Sequence, residues 1–489
     1  MAAGIKFING SFSRMRSPKR KYALALRLDC GAHRFEPKRP GWRKTGCAVF
    51  VGGFACAIVL RAGAPGVNWM THAGNTQAAF TREVRRAPLH RWDPRTRVLR
   101  RLVGGLRYGR LTITLPSGTK LVHAGAEPGP EASVVLHRWR ALRRTVTGGD
   151  IGFAQACIDG DASSPDLVSL IRLAARNVGA FGQTGASAFA FRLAFRLRHL
   201  LNANTKRGSA RNILAHYDLG NDFFRGWLDR TMLYSSALWD EATPTLEAAQ
   251  RRRLERIVDL LKIRGGERIL EIGCGWGALA ARLVEAGAAH VTGLTLSPSQ
   301  LKFARDLVRS RGLASRADLR LQDYRDVEGR FDRIVSIEMV EAVGEQWWPT
   351  YFAKIAKSLA PGGRVVLQAI TIADDRFEEY RRTVDFVQHY VFPGGCLPSK
   401  AALHAQFERA ELRLVGSEFF GPSYARTLIE WRRRFLDAWP DIGARHFDER
   451  FRRLWDYYLS YCAAGFIEGV TDVGLYCIER AETPLGAPA

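Results

Sequence analysis

The chain has 489 residues, 46% of them apolar, and a formal net charge of +25; its length allows two to four domains with a sizeable core. Residues 1–110 carry 23 Lys+Arg against 4 Asp+Glu and the rest of the chain 50 against 44, so the charge belongs to an arm and argues against nucleic acid as the partner of the body. Eight cysteines (Cys30, Cys47, Cys56, Cys157, Cys274, Cys396, Cys462, Cys477) form no CxxC pair or Cys/His cluster, which indicates neither a metal site nor a disulfide framework and fits a reducing cytoplasm.

Residues 1–95 read as a basic, disordered extension, or as an over-called start with Met70 nearer the true one. The uncharged run 46–60, between Lys44 and Arg61, is 15 residues long. A bilayer takes about 20, so a membrane-anchoring hairpin is the weaker alternative. Residues 100–200 read as a small α+β domain with a lipid-binding role left open. Leu111, Ile113 and Leu115 alternate along a strand that turns at Pro116-Ser-Gly118. Residues 134–136 suggest another strand, 148–153 and 159–161 loops, and Ser164-Pro-Asp166 the start of a helix through Leu167, Leu170, Ile171 and Leu173. Residues 189–201 form a helix candidate with Arg192, Arg196 and His199 on one stripe. That stripe is either the wet edge of a buried helix or a surface for anionic headgroups. Residues 202–211 read as a linker.

Residues 210–485 alternate regularly between strands and helices. Leu254, Ile257, Val258 and Leu261 have helical spacing, Glu247 supports Arg251 one turn on, and Gly265-Gly266 stops that helix. Strands follow at 268–272, 290–296, 319–321, 331–337 and 364–370, with helices at 278–286, from Ser297-Pro298, and at 345–359 up to Pro361-Gly-Gly363. The pattern predicts an α/β fold with a parallel, doubly wound sheet and ligands at the carboxyl ends of its strands.

The first strand ends in Glu271-Ile-Gly-Cys-Gly-Trp-Gly277, an acid followed by a glycine turn that lets backbone approach a nucleotide-like ligand. A dinucleotide site needs an acid at the end of the second strand, which here is Gly293-Leu-Thr-Leu-Ser297. Glu271 and Asp323 supply the carboxylates instead, and the turn holds no basic residue for a pyrophosphate. These features favour S-adenosylmethionine, whose amino acid and sulfonium replace the phosphates.

Further motifs stand in order around the turn: His216-Tyr-Asp-Leu-Gly-Asn-Asp-Phe-Phe224, Met232-Leu-Tyr-Ser-Ser-Ala-Leu-Trp239, Gln322-Asp-Tyr-Arg-Asp326, Glu338-Met-Val-Glu-Ala-Val-Gly344, Tyr390-Val-Phe-Pro-Gly-Gly-Cys-Leu-Pro-Ser399 and Tyr457-Tyr-Leu-Ser-Tyr-Cys462. On these motifs, residues 105–480 resemble the cyclopropane-fatty-acyl-phospholipid synthase and mycolic acid cyclopropane synthase family. The resemblance implies a Rossmann-like class I S-adenosylmethionine-dependent methyltransferase. Its reaction would carry a methylene group to the cis double bond of a phospholipid acyl chain, with a bound bicarbonate as the base.

The resemblance assigns the cofactor to Tyr234, Ser235, Glu271, Gly273, Cys274, Gly275, Gly277, Thr295, Leu296, Gln300, Asp323 and Tyr324. It assigns the bicarbonate to Glu341, Tyr424, the backbone of Ile370, Ser236 and Gln368, and the labelled active-site cysteine to Cys462. Gln368 stands where many members have histidine and cannot titrate. Ser236 stands where many have cysteine, and Ala342 replaces a histidine. These departures leave ring closure in question, so a methyl- or methylene-branched product is the nearest alternative, ahead of nucleic-acid methylation or a non-catalytic lipid carrier. Methyl transfer needs no thiol nucleophile, so Cys462 reads as a pocket-lining residue.

Trp347, Trp348, Tyr351 and Phe352 are expected mainly in the core, with one ring open to the acyl tunnel. Residues 374–390 are expected to form a lid that excludes water. The expected partner is an anionic phospholipid surface on the cytoplasmic side of the membrane, with a homodimer left open.

Overall fold

In the computed structural model the described residues are 93–181, 219–443 and 447–480, and all of them lie in the unit that begins at Arg86. The expectations for the arm before residue 93, for the run 46–60, for the helix 189–201 with Arg192, Arg196 and His199, and for the linker 202–211 fall outside the described residues.

A four-stranded sheet forms the first layer. Its strands are β1 (Tyr108–Thr114), β2 (Lys120–Ala124), β3 (Glu127–Leu136) and β4 (Ala162–Ser163), in the order β2-β1-β3-β4. The alternation in β1 buries Leu111 and Ile113 on one face. The hairpin to β2 closes where Gly118 N–H donates to the Leu115 carbonyl at 2.8 Å. Helix α1 (Pro94–Val103) is capped by Asp93 with proline at its first position, and α3 (Leu167–Arg176) is capped by Asp166. Residues 148–153 are not a loop. They lie in α2 (Arg140–Ile158), which breaks at Gly149 with φ 60° and ψ −136°. The Gly-Gly pair supplies the break, while the buried faces of Ile151, Ala154 and Ile158 hold the second half helical. Asp161 follows, with no exposed surface, and accepts from Arg138, Arg140 and Arg144.

The larger sheet has seven strands in the order β10-β11-β9-β8-β5-β6-β7. β5 (Arg268–Ile272), β6 (His290–Thr295), β7 (Ala317–Leu321), β8 (Phe331–Ile337) and β9 (Leu359–Ile372) run parallel. β11 (Thr471–Arg480) pairs antiparallel with β9, and β10 (Leu412–Phe419) pairs antiparallel with β11 at the edge. Chain order reverses between β8 and β5, which opens a crevice beyond their carboxyl ends. Helices α4 (Leu246–Leu261), α5 (Ala278–Glu285), α6 (Pro298–Ser310) and α7 (Trp348–Ser358) flank the sheet. α7 stops at Ser358, and β9 begins before Pro361 instead of after Gly363. Leu359 pairs with Phe331, and the pairing then shifts register past the proline, which has no N–H for the ladder.

The two layers are joined by helices. α8 (Asp374–Tyr380) and α9 (Phe386–Tyr390) occupy the segment expected as a lid; α9 starts with a capping box between Asp385 and Gln388. After α10 (Gly421–Gly443) comes α11 (Glu449–Ile467), which packs on α2 and α3. At its end Glu468, nearly sealed from solvent, accepts from Arg172 at 2.7 Å and from Arg176. Among the described residues no helix is long and apolar enough to cross a membrane.

Candidate active site

The glycine turn leaves β5 at the crevice. Gly273 has φ +87°, and a Cβ there would lie 2.5 Å from Met339 Sδ; only glycine fits. The Gly273 and Cys274 N–H groups both donate to the Leu294 carbonyl, at 3.0 and 2.8 Å, which ties the turn to β6. Gly275 has φ +51° and open space beyond its Cα, so its backbone is bare to the crevice. Gly277 serves packing instead. It faces Ala304 on α6, 2.8 Å from where its Cβ would be, and is absent from the cavity wall.

Glu271 sits beneath the turn, 3% exposed. Burial pushes its carboxyl up to about 8, with Arg253 pulling the other way. Its Oε2 has no partner among the described residues. Thr295, Leu296 and Gln300 line the same end of the cavity, and the Thr295 hydroxyl donates to Gln300 Oε1 at 3.0 Å. Tyr234 and Ser235 line it from the preceding loop; the Tyr234 and Tyr458 hydroxyls lie 2.9 Å apart. Asp323 does not supply a carboxylate to the cavity. It is held by Arg325 at 2.7 Å and caps a short helical turn, so its neighbours Gln322 and Tyr324 form the wall.

Two carboxylates stand where β8 meets the crevice. Glu341 Oε1 accepts from the Ile370 N–H at 2.5 Å, and its Oε2 is unpartnered among the described residues. Burial and the nearby Glu338 push Glu341 up to about 8. Glu338 opens the same motif, yet the motif alone does not single it out. Its Oε1 accepts from Gln368 Nε2 at 2.7 Å and from the Ser236 N–H at 3.0 Å, and its Oε2 from the Tyr424 hydroxyl at 2.7 Å. Burial raises its carboxyl, while Tyr424, Ser236, Arg253 and Gln368 each work against that rise. Both acids are enclosed by protein but keep surface on the cavity. Glu338 holds φ +51°, a left-handed conformation that costs a non-glycine residue about 1–2 kcal/mol. The one sequence signal for it is a second acid three residues before Glu341 at a strand end.

Tyr424 and the backbone of Ile370 reach the cavity; Ser236 and Gln368 do not. The Ser236 hydroxyl turns away to donate to the Ala237 carbonyl. Gln368 has no exposed surface and bridges Arg253 to Glu338. The Tyr424 hydroxyl, Gln368 Nε2 and the Ser236 and Ile370 N–H groups are thus engaged by Glu338 or Glu341 and the Ser236 hydroxyl by Ala237, so these donors as placed do not fit a bound bicarbonate. Cys462 does line the cavity. Burial holds its thiol well above the usual range, which disfavours the thiolate.

One continuous cavity of about 870 Å³ connects these groups to the first layer. Near the acids its wall carries Tyr424, Tyr458, Tyr461 and Phe466; farther on it carries Leu111, Ile113, Val134, Leu136 and Phe153. The four rings keep to the core as expected, but none of them opens to the tunnel. Trp348, Tyr351 and Phe352 are buried against the far side of the sheet, and Trp347 is also absent from the wall. The segment 374–390 contributes Arg376, Tyr380 and Asp385 to the wall.

The mycolic acid cyclopropane synthetase profile matches residues 204–475. The chain belongs to that family. It is similar to a tuberculostearic acid methyltransferase of Mycobacterium tuberculosis, 38% identical over 380 residues that cover 74% of this chain and 86% of the relative. It is also similar to the cyclopropane-fatty-acyl-phospholipid synthase of Escherichia coli, 42% identical over 252 residues, or 51% of this chain and 63% of the relative. Among solved structures, a mycolic acid cyclopropane synthase complexed with SAH and CTAB superposes with a TM-score of 0.52 at 29% identity, over 55% of this chain and 98% of that one.

As a member of the mycolic acid cyclopropane synthetase family, the protein is an S-adenosylmethionine-dependent methyltransferase with a class I fold. The donor fits the residues present: bare backbone at Gly275 and an orphaned carboxylate oxygen on Glu271 face the same end of the cavity. When bound, S-adenosylmethionine supplies an electrophilic methyl group on sulfur.

Proposed function

We propose that the protein transfers a one-carbon unit from S-adenosylmethionine to the cis double bond of an unsaturated acyl chain of a phospholipid. The supporting observation is the continuity of the cavity, which leads from the glycine turn past Glu338 and Glu341 into an apolar channel walled by the first layer. An alkene is a weak nucleophile and reacts only when held dry and aligned. The channel residues Ile113, Leu136 and Phe153 bind the chain, and Leu233 and the α8–α9 segment close the reacting end. Cation density on the chain is met by the Tyr424, Tyr458 and Phe466 rings that line the cavity.

Loss of a proton from the added methyl then yields a cyclopropane, the product implied by the resemblance. A second reading has support of its own. If a hydride shifts along the chain first, the same proton loss gives a methylene branch, with no reductant needed. Gln368 in place of histidine favours this reading, as does a relative aligned over both layers that is named a methyltransferase. Lipid mass spectrometry of a host making the protein, wild type beside Glu341→Gln, tests both. Each product adds 14 mass units, a general consequence of adding CH₂, but only the branched one keeps an alkene that ozone cleaves. A wild-type lipid profile matching that of a host without the protein would overturn the acyl reading.

We further propose that the protein works at an anionic membrane surface on the cytoplasmic side. α1 supports this: Arg95, Arg97, Arg100 and Arg101 are exposed, while Leu99, Leu102 and Val103 line the channel from its other face. Sedimentation with phosphatidylglycerol vesicles but not with phosphatidylcholine vesicles is expected, weakening with salt; equal sedimentation with both would count against it.

A further inference from the structure

We infer that Glu338 is the general base of the reaction, built into the chain at the place where the resemblance expects a bound bicarbonate. The inference rests on the acyl reading above for its substrate, but the site itself is read from the chain's own atoms.

Three donors converge on Glu338: the Tyr424 hydroxyl at 2.7 Å, Gln368 Nε2 at 2.7 Å and the Ser236 N–H at 3.0 Å. These are three of the four donors expected to hold an anion; the Ile370 N–H, the fourth, is taken by Glu341. The orientation of Gln368 is not arbitrary. Arg253 Nη1 donates to Gln368 Oε1 at 3.3 Å, and a guanidinium has no acceptor, so the amide nitrogen is turned to Glu338. The buried Arg253 thereby reaches Glu338 through one side chain and helps keep it ionised. A carboxylate that accepts three times and keeps surface on the cavity is placed to take up a proton. Its left-handed backbone, φ +51°, is where glycine would rest without strain. The chain holds a strained glutamate there, and its carboxylate fills the anion position.

The balance of the step is simple. The alkene π pair forms the new carbon–carbon bond as the carbon–sulfur bond breaks, and that pair stays on sulfur. The pair of one methyl C–H bond then either closes the three-membered ring or, after a hydride shift, forms the exocyclic double bond. The proton goes to Glu338 in both cases. The neighbouring Glu341, with its Oε2 unpartnered among the described residues, and Cys462 share the same wall.

The test uses the full chain with SAH bound and [13C]bicarbonate as the probe. Wild type is expected to show no saturable bicarbonate binding. Glu338→Gly relieves the backbone and vacates a carboxylate-sized hole, so it is expected to bind bicarbonate saturably, and to lose that binding when Tyr424→Phe is added. In carbon-dioxide-stripped buffer, wild-type turnover should change by less than about twofold on adding bicarbonate. Glu338→Gly should be slower by about 100-fold or more, the usual scale of a general base, and should recover about tenfold with bicarbonate. Glu338→Gln, which keeps the hole filled, should be equally slow and not recover; it carries the test if the glycine variant does not fold. Saturable bicarbonate binding to wild type that Tyr424→Phe removes, bicarbonate-dependent wild-type turnover, or a wild-type rate in Glu338→Gln would overturn the inference. If wild type turns over no unsaturated lipid, the acyl reading fails, and the bicarbonate titration still decides whether Glu338 occupies the anion's place.

Discussion

Tyr424 donates a 2.7 Å hydrogen bond to Glu338 Oε2 while its ring stacks on Phe466 at 4.6 Å. One side chain on α10 thus serves both the acid that follows β8 and the aromatic wall of the cavity. The first prediction separates these roles. Tyr424→Phe keeps the ring and removes a donor that stabilises the Glu338 carboxylate, so the Glu338 pKa rises. Because the base must be ionised, SAH release at pH 7 should fall by about 10- to 100-fold, and the acidic limb of the rate profile should move to higher pH. A variant with an unshifted limb would assign Tyr424 to packing alone.

Glu271 offers a prediction on cofactor binding. Its carboxyl is pushed up to about 8, so at pH 7 the empty protein holds it mostly protonated. The cationic amino acid end of the donor favours the charged form. Binding S-adenosylmethionine at pH 7 should therefore release a proton, visible as a dependence of the calorimetric enthalpy on the buffer's ionisation enthalpy. Affinity should rise from pH 6.5 to 8.5. Glu271→Gln should abolish both effects and weaken binding by about tenfold, the scale of a pKa unit.

Stability should respond to the same acids. Glu271 and Glu341 titrate near 8 when folded, above an unfolded value of about 4.3. Between those limits the folded state binds more protons than the unfolded one, so stability falls as pH rises. The Tm of the empty protein should drop from pH 5 to pH 8 and then level off with respect to these two groups. Glu271→Gln should flatten part of that slope. A Tm that rises steadily over this range would contradict the buried, neutral state of the pair.

The first layer should set the acyl chain length. Ile113 on β1 is 3% exposed to solvent and lines the channel far from the glycine turn. Ile113→Phe should shift the products toward shorter chains in a mixed-lipid assay while donor affinity stays unchanged. A stability loss of about 1–3 kcal/mol from overpacking is expected. An unchanged product distribution in a folded variant would remove the channel from the acyl route.

Local signals carried much of the fold. Strands 268–272 and 331–337 match the observed β5 and β8 to the residue, and Ser297-Pro298 does cap and open α6. Capping, alternation and the glycine turn act over a few residues, and the same atoms that make the pattern make the structure. The misses have an equally local cause. Gly148-Gly149 marks a break in α2 but cannot say that buried faces keep the helix going beyond it. Pro361-Gly362-Gly363 reads as a stop, yet pairing to β8 carries β9 through it.

By itself, then, the order of residues determined an acid and a glycine turn at the end of a parallel strand, the donor suited to them, and the family that shares the surrounding motifs. Tertiary structure alone decided how the acids are used. Asp323 and Glu338 each sit in a motif with polar neighbours, but Asp323 is spent on Arg325 at 2.7 Å while Glu338 collects donors from positions 236, 368 and 424. Those donors come from a loop, β9 and α10, and no periodicity or spacing along the chain encodes a meeting that only packing brings about. The continuity of the cavity into the first layer is of the same kind, since its walls come from strands and helices hundreds of residues apart in the chain.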